Sequence, residues 1–273
     1  MKKILIPTDF SGASRKAEVY GLTLAAALRA HVELLHVYWQ LFPAMAGPEP
    51  WSNRVTKPQV EKEKQMNQEL DLLEEKFLTT IKGDVRNGPR LRMMGRKVRE
   101  TEADLMVMGI KKEDVQVLAG STISKALRIP RIPVLLVPED VTSMTIRNIV
   151  LAVDFNEKTD SATFEPLRQI VKATDAYLRV VHVEQKGADV NATELDQKLR
   201  LANSLSQFTY EYNKVESNDT NLAILNFTET HPADLLVLLL HHDSIVNHIL
   251  RPTHAVPVVF ASRLPVLLLK PQE

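Results

Sequence analysis

Two glycine-centred positions in the first half of the chain have the residue types of an anion-binding site. Gly109 ends the apolar run LMVMG, and Gly120 is followed by Ser121 and Thr122 at the start of a helical pattern. Glycine lets a backbone approach a ligand closely, and the free N–H groups at a helix N-terminus favour a phosphate. The spacing indicates a phosphate cradle, but a strand, a loop and a helix punctuated by glycine would give the same letters.

A third segment supplies a carboxylate. Asp9 follows the apolar run KILIPT, and Val37 ends the apolar run HVELLHV. In an open parallel sheet, ligands bind beyond the carboxyl ends of the strands, where the strand order reverses. With the order 3-2-1-4-5, Asp9 and Gly109 flank that point, and Asp9 can accept a hydrogen bond from an exocyclic amine. The alternative is that Asp9 caps the helix that follows it.

The elements that carry these residues occur twice. KKILIPTDF and HVELLHVY of the first half match RNIVLAVDF and AYLRVVHVE of the second, so that Asp9 corresponds to Asp154 and His36 to His182. The ends of the halves match as well, EADLMVMG with PADLLVLL and RIPVLLVP with RLPVLLLK. Such self-similarity indicates a duplication.

The boundary between the halves falls in the polar stretch 138–145, which predicts domains over residues 1–140 and 146–273. Each half alternates strands and helices, which predicts an α/β fold of two doubly wound, Rossmann-like parallel sheets. The last strands, IPVLLV and LPVLLL, are apolar edges that can pair with each other and make the chain its own pseudo-dimer. The first half also has an insertion within 38–60, which could be a lid, packing or a partner surface.

Composition and charge exclude several classes. The 34 basic and 34 acidic residues balance, so no global field recruits nucleic acid or an anionic membrane, and the absence of cysteine excludes thiolate chemistry. No segment has the roughly 20 apolar residues of a membrane span, and a soluble cytoplasmic protein is predicted. The basic run VRNGPRLRMMGRKVR is interpreted as one solvated helix face rather than an RNA-binding surface.

The histidines give no standard metal motif. The cluster at 241, 242, 248 and 254 fits no zinc spacing and is predicted to be exposed. His36 and His182 end buried strands and are expected to hydrogen-bond locally rather than to catalyse.

The chain resembles tandem universal stress proteins over nearly its whole length, on the stretches PTDFS, LLHV, DLMVMG and the glycine positions quoted above. The resemblance implies the 3-2-1-4-5 fold and an adenine nucleotide, ATP or AMP, with Mg²⁺ as a companion of the phosphates. It places Asp9 and its neighbours at adenine and the glycine motif at ribose and phosphates. The positions implied to bind nucleotide are Pro7, Thr8, Asp9, Val37, Gly109, Lys112, Gly120, Ser121 and Thr122.

The chain departs from the family's G-x2-G-x9-G-[ST] motif. Lys112 stands in place of the second glycine and could meet a phosphate charge, whereas the loop to Gly120 is two residues short and could close the pocket. In the second half the corresponding positions are Leu239, His242, Pro252 and Thr253. Because proline has no N–H, this half is predicted to be a degenerate partner that holds no triphosphate.

Three functions remain open. The first is a non-enzymatic stress-response protein that binds an adenine nucleotide in the first half and couples occupancy to association, either with partners or as a homodimer. The second is a ligand-free scaffold in which both sites have decayed. The third is a slow nucleotide hydrolase, for which the sequence offers no clear general base and no Walker lysine motif.

Overall fold

The computed structural model describes residues 1–39, 51–111, 132–155, 159–184, 192–239 and 264–270. Within these ranges the first half contains β1 (Lys3–Thr8), α1 (Gly12–Leu28), β2 (His31–Tyr38), α2 (Trp51–Phe77), β3 (Lys82–Asn87), α3 (Arg90–Thr101), β4 (Leu105–Ile110) and β5 (Val134–Pro138). The second half contains β6 (Asn148–Val153), a 3₁₀ turn (Ser161–Phe164), α4 (Glu165–Thr174), β7 (Tyr177–Glu184), α5 (Ala192–Ser204), β8 (Tyr210–Glu216), α6 (Thr220–Thr230), β9 (Leu235–Leu239) and β10 (Val266–Leu269).

All ten strands form one sheet in the order β3-β2-β1-β4-β5-β10-β9-β6-β7-β8. Each half therefore has the order 3-2-1-4-5, as predicted, and the α/β fold class is confirmed. The pairs within each half are parallel, and β5 pairs with β10 antiparallel, with Leu136 opposite Val266 and Leu135 opposite Leu267. The sheet thus runs through both halves without an edge between them.

Burial of both sheet faces explains the apolar runs of the central strands. On β4, Leu105 and Val107 belong to the core on one face, and Met106 and Met108 to the core on the other. Successive side chains of a strand point to opposite faces, so a strand covered by helices on both sides must be apolar throughout.

Local signals set the first helix. Ser11 is the N-cap of α1, and its hydroxyl accepts a hydrogen bond from the Ser14 amide at 3.4 Å. The helix ends at Arg29 in the left-handed conformation, whose N–H bonds back to the Ala25 and Ala26 carbonyls. The cap at Ser11 fixes where α1 begins relative to β1, and the first turn of α1 contributes to the site described below.

The duplication is visible at the amino-terminal ends of the strands. One oxygen of Asp104 accepts hydrogen bonds from the amides of Lys2 and Lys3, at 2.6 and 3.0 Å. One oxygen of Asp234 does the same for Arg147 and Asn148, at 3.0 and 2.9 Å. Each carboxylate ties the start of a central strand to the strand beside it.

The halves differ most in the helix that follows the second strand. α2 has 27 residues, whereas its counterpart α5 has 13. Part of the predicted insertion is therefore the start of α2, and residues 40–50 lie outside the described ranges. Between the halves, Val141 is buried within the polar stretch 138–145 and Ile146 is buried directly after it, and the division into domains at residues 140 and 146 stays a prediction. Within the described ranges, every helix is too short or too polar to cross a lipid bilayer.

Candidate functional site

A cavity of about 260 Å³ lies beyond the carboxyl ends of β1 and β4. All the predicted site residues that the structure describes line it; they are Pro7, Thr8, Asp9, Val37 and Gly109. The other four predicted positions, Lys112, Gly120, Ser121 and Thr122, lie outside the described residues. Segments far apart in sequence thus meet at the switch point of the first half, where a doubly wound sheet places its ligands.

The cavity has an apolar wall and a polar rim. Leu35, Val37, Met94 and Met108 are buried side chains that line the wall. Asp9, Ser11, Ser14, Arg90 and Lys111 supply hydroxyl and charged groups to the rim. Apolar walls with a few convergent polar groups are the usual construction of a small-molecule site.

Asp9 is exposed at this rim and ionised. Its Oδ1 accepts a hydrogen bond from the amide of Ser11, the N-cap of α1, at 3.0 Å. Partial burial acts to raise the pKa of Asp9, but hydrogen bonds from Ser11 and Ser14 and the positive charge of Arg90 hold it below its usual value. An ionised carboxylate is an acceptor only, so Asp9 is suited to a donor such as an exocyclic amine.

The turn that presents Asp9 is held on both sides. The Thr8 hydroxyl accepts from the Phe10 amide at 3.0 Å and donates to the Ser14 hydroxyl at 3.2 Å. Phe10 has a φ of 63°, which is uncommon for a bulky residue, and its ring packs on His36 with centroids 4.5 Å apart. Such a backbone conformation persists only where its surroundings fix it, and the hydrogen bonds of Thr8 and the packing of Phe10 on His36 do so here.

His36 and His182 confirm the expectation of local hydrogen bonding. Nδ1 of His36 lies 2.9 Å from the Thr8 carbonyl oxygen, and Nδ1 of His182 lies 3.1 Å from that of Val153. In both halves the histidine ties the end of the second strand to the end of the first.

Glycine is required at position 109 for a structural reason that the sequence did not suggest. A Cβ at this position would lie 2.1 Å from the Ala13 carbonyl oxygen and 2.4 Å from its carbon. The backbone that approaches Gly109 is therefore the first turn of α1, and glycine is required there for helix–sheet packing. Its place in the cavity wall is a consequence of that packing.

Sequence reasoning missed eight lining residues, Ser11, Ala13, Ser14, Leu35, Arg90, Met94, Met108 and Lys111. Arg90 belongs to the basic run that was interpreted as a solvated face, and only the approach of α3 to β1 brings it near Asp9. Arg90 is exposed, as that interpretation expects, but Lys97 is buried and paired with Glu33 and Asp84, so the interpretation was wrong for Lys97.

The corresponding crevice of the second half is nearly filled, with a volume of about 10 Å³. Phe164, Gln197 and Leu201 are buried there, and Gln197 Oε1 accepts from the Thr159 amide at 2.9 Å. Leu239 lies in this wall, and the positions 242, 252 and 253 lie outside the described residues.

The repeat keeps an aspartate at Asp154, for which the sequence favours a cap of the next helix; this prediction is wrong for the helices that the structure describes. Asp160 is the N-cap of the 3₁₀ turn at Ser161, and Phe164 is the N-cap of α4. Asp154 instead lies in the wall of the filled crevice.

Comparisons with known proteins agree with this geometry. A family model described as the universal stress protein family matches residues 1–138. A universal stress protein from Archaeoglobus fulgidus is 18% identical with a TM-score of 0.75, over 99% of this chain and 97% of that one. A functionally unknown protein from Pseudomonas aeruginosa is 14% identical with a TM-score of 0.57, over 99% of this chain and 93% of that one. No curated protein sequence matches the chain.

Proposed function

The chain belongs to the universal stress protein family, and on that premise we propose that its first half binds an adenine nucleotide, ATP or AMP, in the cavity at β1 and β4. The observation that carries this proposal is the convergence of Thr8, Asp9 and Val37 on one cavity of about 260 Å³. Occupancy of the site would be coupled to association with partners.

The described walls suit a base more specifically than a phosphate. The apolar side chains of Val37, Met94 and Met108 can cover the faces of a planar ring, and Asp9 can accept a hydrogen bond from its exocyclic amine. The volume is just below the roughly 300–1,000 Å³ of typical ligand pockets. We propose that this volume holds the base and ribose, and that Lys112, Gly120, Ser121 and Thr122 hold the phosphates, as the family resemblance implies.

A binding role, rather than an enzymatic one, fits the groups around the cavity. Asp9 is the acidic side chain among the described lining residues, and its lowered pKa makes it a weak base. A general base works best when its pKa is near the working pH. We therefore assign no reaction to this site.

The second half supports a structural role within the same chain. Its crevice of about 10 Å³ has no room for a nucleotide, and its strand β10 pairs with β5. We propose that the halves associate as a pseudo-dimer through these strands, and that the second half serves as scaffold for the first. A chain in which both halves act only as a ligand-free scaffold is the alternative function.

Titration of the full chain with ATP and with AMP in a calorimeter tests the proposal. Asp9→Ala is expected to weaken binding about 10- to 100-fold, because a hydrogen bond to a charged group contributes about 1.5–3 kcal/mol. Asp154→Ala is the matched control in the second half and is expected to leave affinity unchanged. The absence of heat with both nucleotides, and of any nucleotide released on denaturing freshly purified protein, would favour the ligand-free scaffold.

A further inference from the structure

A second group of ligand-type side chains lies in the second half, at the carboxyl end of β7. His182, Glu184 and Glu194 can each offer one ligand atom, and these atoms lie within 4.8 Å of one another. His182 and Glu184 come from β7, and Glu194 comes from the first turn of α5. This group is named the β7–α5 cluster below.

The tautomer of His182 is fixed by its second nitrogen. Nδ1 lies 3.1 Å from the carbonyl oxygen of Val153, which can only accept, so Nδ1 carries the proton of the neutral ring. The lone pair is then on Nε2, which lies 3.9 Å from Oε1 of Glu194. A hydrogen bond from the distal nitrogen to a carbonyl is the arrangement that orients metal-binding histidines.

The two carboxylates are shielded from water, and each contacts a lysine. Glu194 is buried, and the side chain of Glu184 is 10% exposed. Lys198 Nζ lies 2.5 Å from Oε1 of Glu194, and Lys214 Nζ lies 2.5 Å from Oε2 of Glu184.

Lys198 and Lys214 balance the negative charge of the cluster, but another cation can replace their ammonium groups. Their side chains are 30% and 43% exposed, so both ammonium groups can turn to solvent when another cation arrives. A divalent ion would take their place between the carboxylates. Metal and lysines therefore compete for the same two glutamates.

We propose that His182, Glu184 and Glu194 bind a divalent transition-metal ion such as Zn²⁺, with water in the remaining position. One imidazole nitrogen with two carboxylate oxygens is a donor set that zinc accepts, whereas Mg²⁺ and Ca²⁺ prefer oxygen ligands alone. Tetrahedral ligands at zinc distances lie roughly 3.4 Å apart, close to the observed separation of the His182 and Glu194 atoms. This inference does not depend on nucleotide binding in the first half.

The first half provides a built-in comparison. His36 makes the same Nδ1 bond to a strand-end carbonyl and packs on Phe10 as His182 packs on Phe155. The repeat places Tyr38 where the second half has Glu184, so one carboxylate of the set is missing. His36 should therefore bind no metal, and His36→Ala is the matched control.

Equilibrium dialysis of the full chain against Zn²⁺, with elemental analysis, tests the proposal. One equivalent is expected for the unchanged chain and for His36→Ala. Glu184→Gln and Glu194→Gln, which keep side-chain shape, are each expected to weaken binding by more than the about 10- to 100-fold that loss of an outer-shell partner causes. Lys214→Met removes a competitor and is expected to tighten binding.

Thermal unfolding provides the second readout. Zn²⁺ is expected to raise the unfolding temperature of the unchanged chain but not of the two glutamine variants, because a ligand stabilises the state that binds it. Three results would overturn the proposal. They are the absence of Zn²⁺ binding, binding that survives in both glutamine variants, and loss of binding only when the histidines at 241, 242, 248 and 254 are replaced. Equal affinity for Mg²⁺ would contradict the imidazole as a ligand.

Discussion

The two halves of the chain have the same strand order and the same histidine-to-carbonyl bond, yet their crevices measure about 260 and 10 Å³. In the first half, α1 begins at Gly12, directly after the turn of Asp9. In the second half, a 3₁₀ turn comes first and α4 begins only at Glu165. The topology fixes where a crevice can form, and the side chains that reach it decide whether it stays open.

The side chains that fill the second crevice come from two elements. Phe164 ends the 3₁₀ turn that precedes α4, and Gln197 and Leu201 come from α5. In the first half, the backbones of Gly109 and Ala13 are in close contact and form part of the cavity wall. The comparison teaches that a lost glycine motif and a filled crevice are separate changes, both present in the second half.

The largest effect is expected at Gly109, which has Leu239 as its second-half counterpart. Gly109→Ala forces the first turn of α1 away from β4 and is expected to lower the free energy of unfolding by about 3 kcal/mol or more, the upper end of overpacking effects. Urea unfolding measures this change. Gly12→Ala is the control, since its Cβ meets only the flexible end of Glu139.

An unchanged unfolding midpoint in Gly109→Ala would contradict the close contact with Ala13. If Gly12→Ala were equally damaging, a general sensitivity of the first turn of α1 would explain both results.

The second largest effect is expected in the pH dependence of the free energy of unfolding, to which the first half contributes a group that the second half lacks. Glu18 is fully buried on α1, and the corresponding position of the second half is Thr163, which does not titrate. Burial, reinforced by the charge of Glu69, raises the pKa of Glu18 to about 8. The folded state thus holds a proton that the unfolded chain loses at a lower pH, near the ordinary value of about 4.3.

Stability from this proton is present below the unfolded pKa and is lost as the pH rises towards about 8. The free energy of unfolding is expected to fall by a few kcal/mol between about pH 5 and about pH 8, and Glu18→Gln should flatten that slope. Denaturant titrations at several pH values measure it. An equal slope in Glu18→Gln would assign the pH dependence to other groups.

The smallest effect concerns a feature that the halves share. Asp104 and Asp234 each accept two backbone amides at the start of a central strand. Asp104→Asn and Asp234→Asn are each expected to lower the free energy of unfolding by about 1–3 kcal/mol, by equal amounts, because each removes charged hydrogen bonds. Unequal losses in chemical unfolding would show that the two halves are not equivalent at this end of the sheet.

Much of the architecture could be predicted from the sequence because it follows from patterns of apolar residues. Runs such as LMVMG and PVLLV indicate strands covered on both faces, and their alternation with helical periods indicates a doubly wound sheet. The repeat of Asp-Phe and His-Val in both halves predicts the duplication, and the fold confirms it. Positions at strand ends could be predicted as neighbours for the same reason.

The site could be predicted only in part, because it depends on distances between elements. Arg90 and Met94 lie in a basic amphipathic run, whose pattern indicates which face of the helix is solvent-exposed but not which elements lie next to it. Gly109 was assigned to ligand approach, and only the position of α1 shows that Ala13 occupies that space. The metal-type group of His182, Glu184 and Glu194 has no local spacing motif, since Glu194 comes from a separate helix.

The sequence by itself determined the α/β class, the duplication and the family, because each rests on residue type and periodicity, and the strand order of each half followed from the family resemblance. The tertiary structure alone decided which of two equivalent crevices is open and which polar side chains meet across elements. The physical reason is that packing distances of an ångström or two separate a cavity from a filled core, and periodicity does not encode such distances.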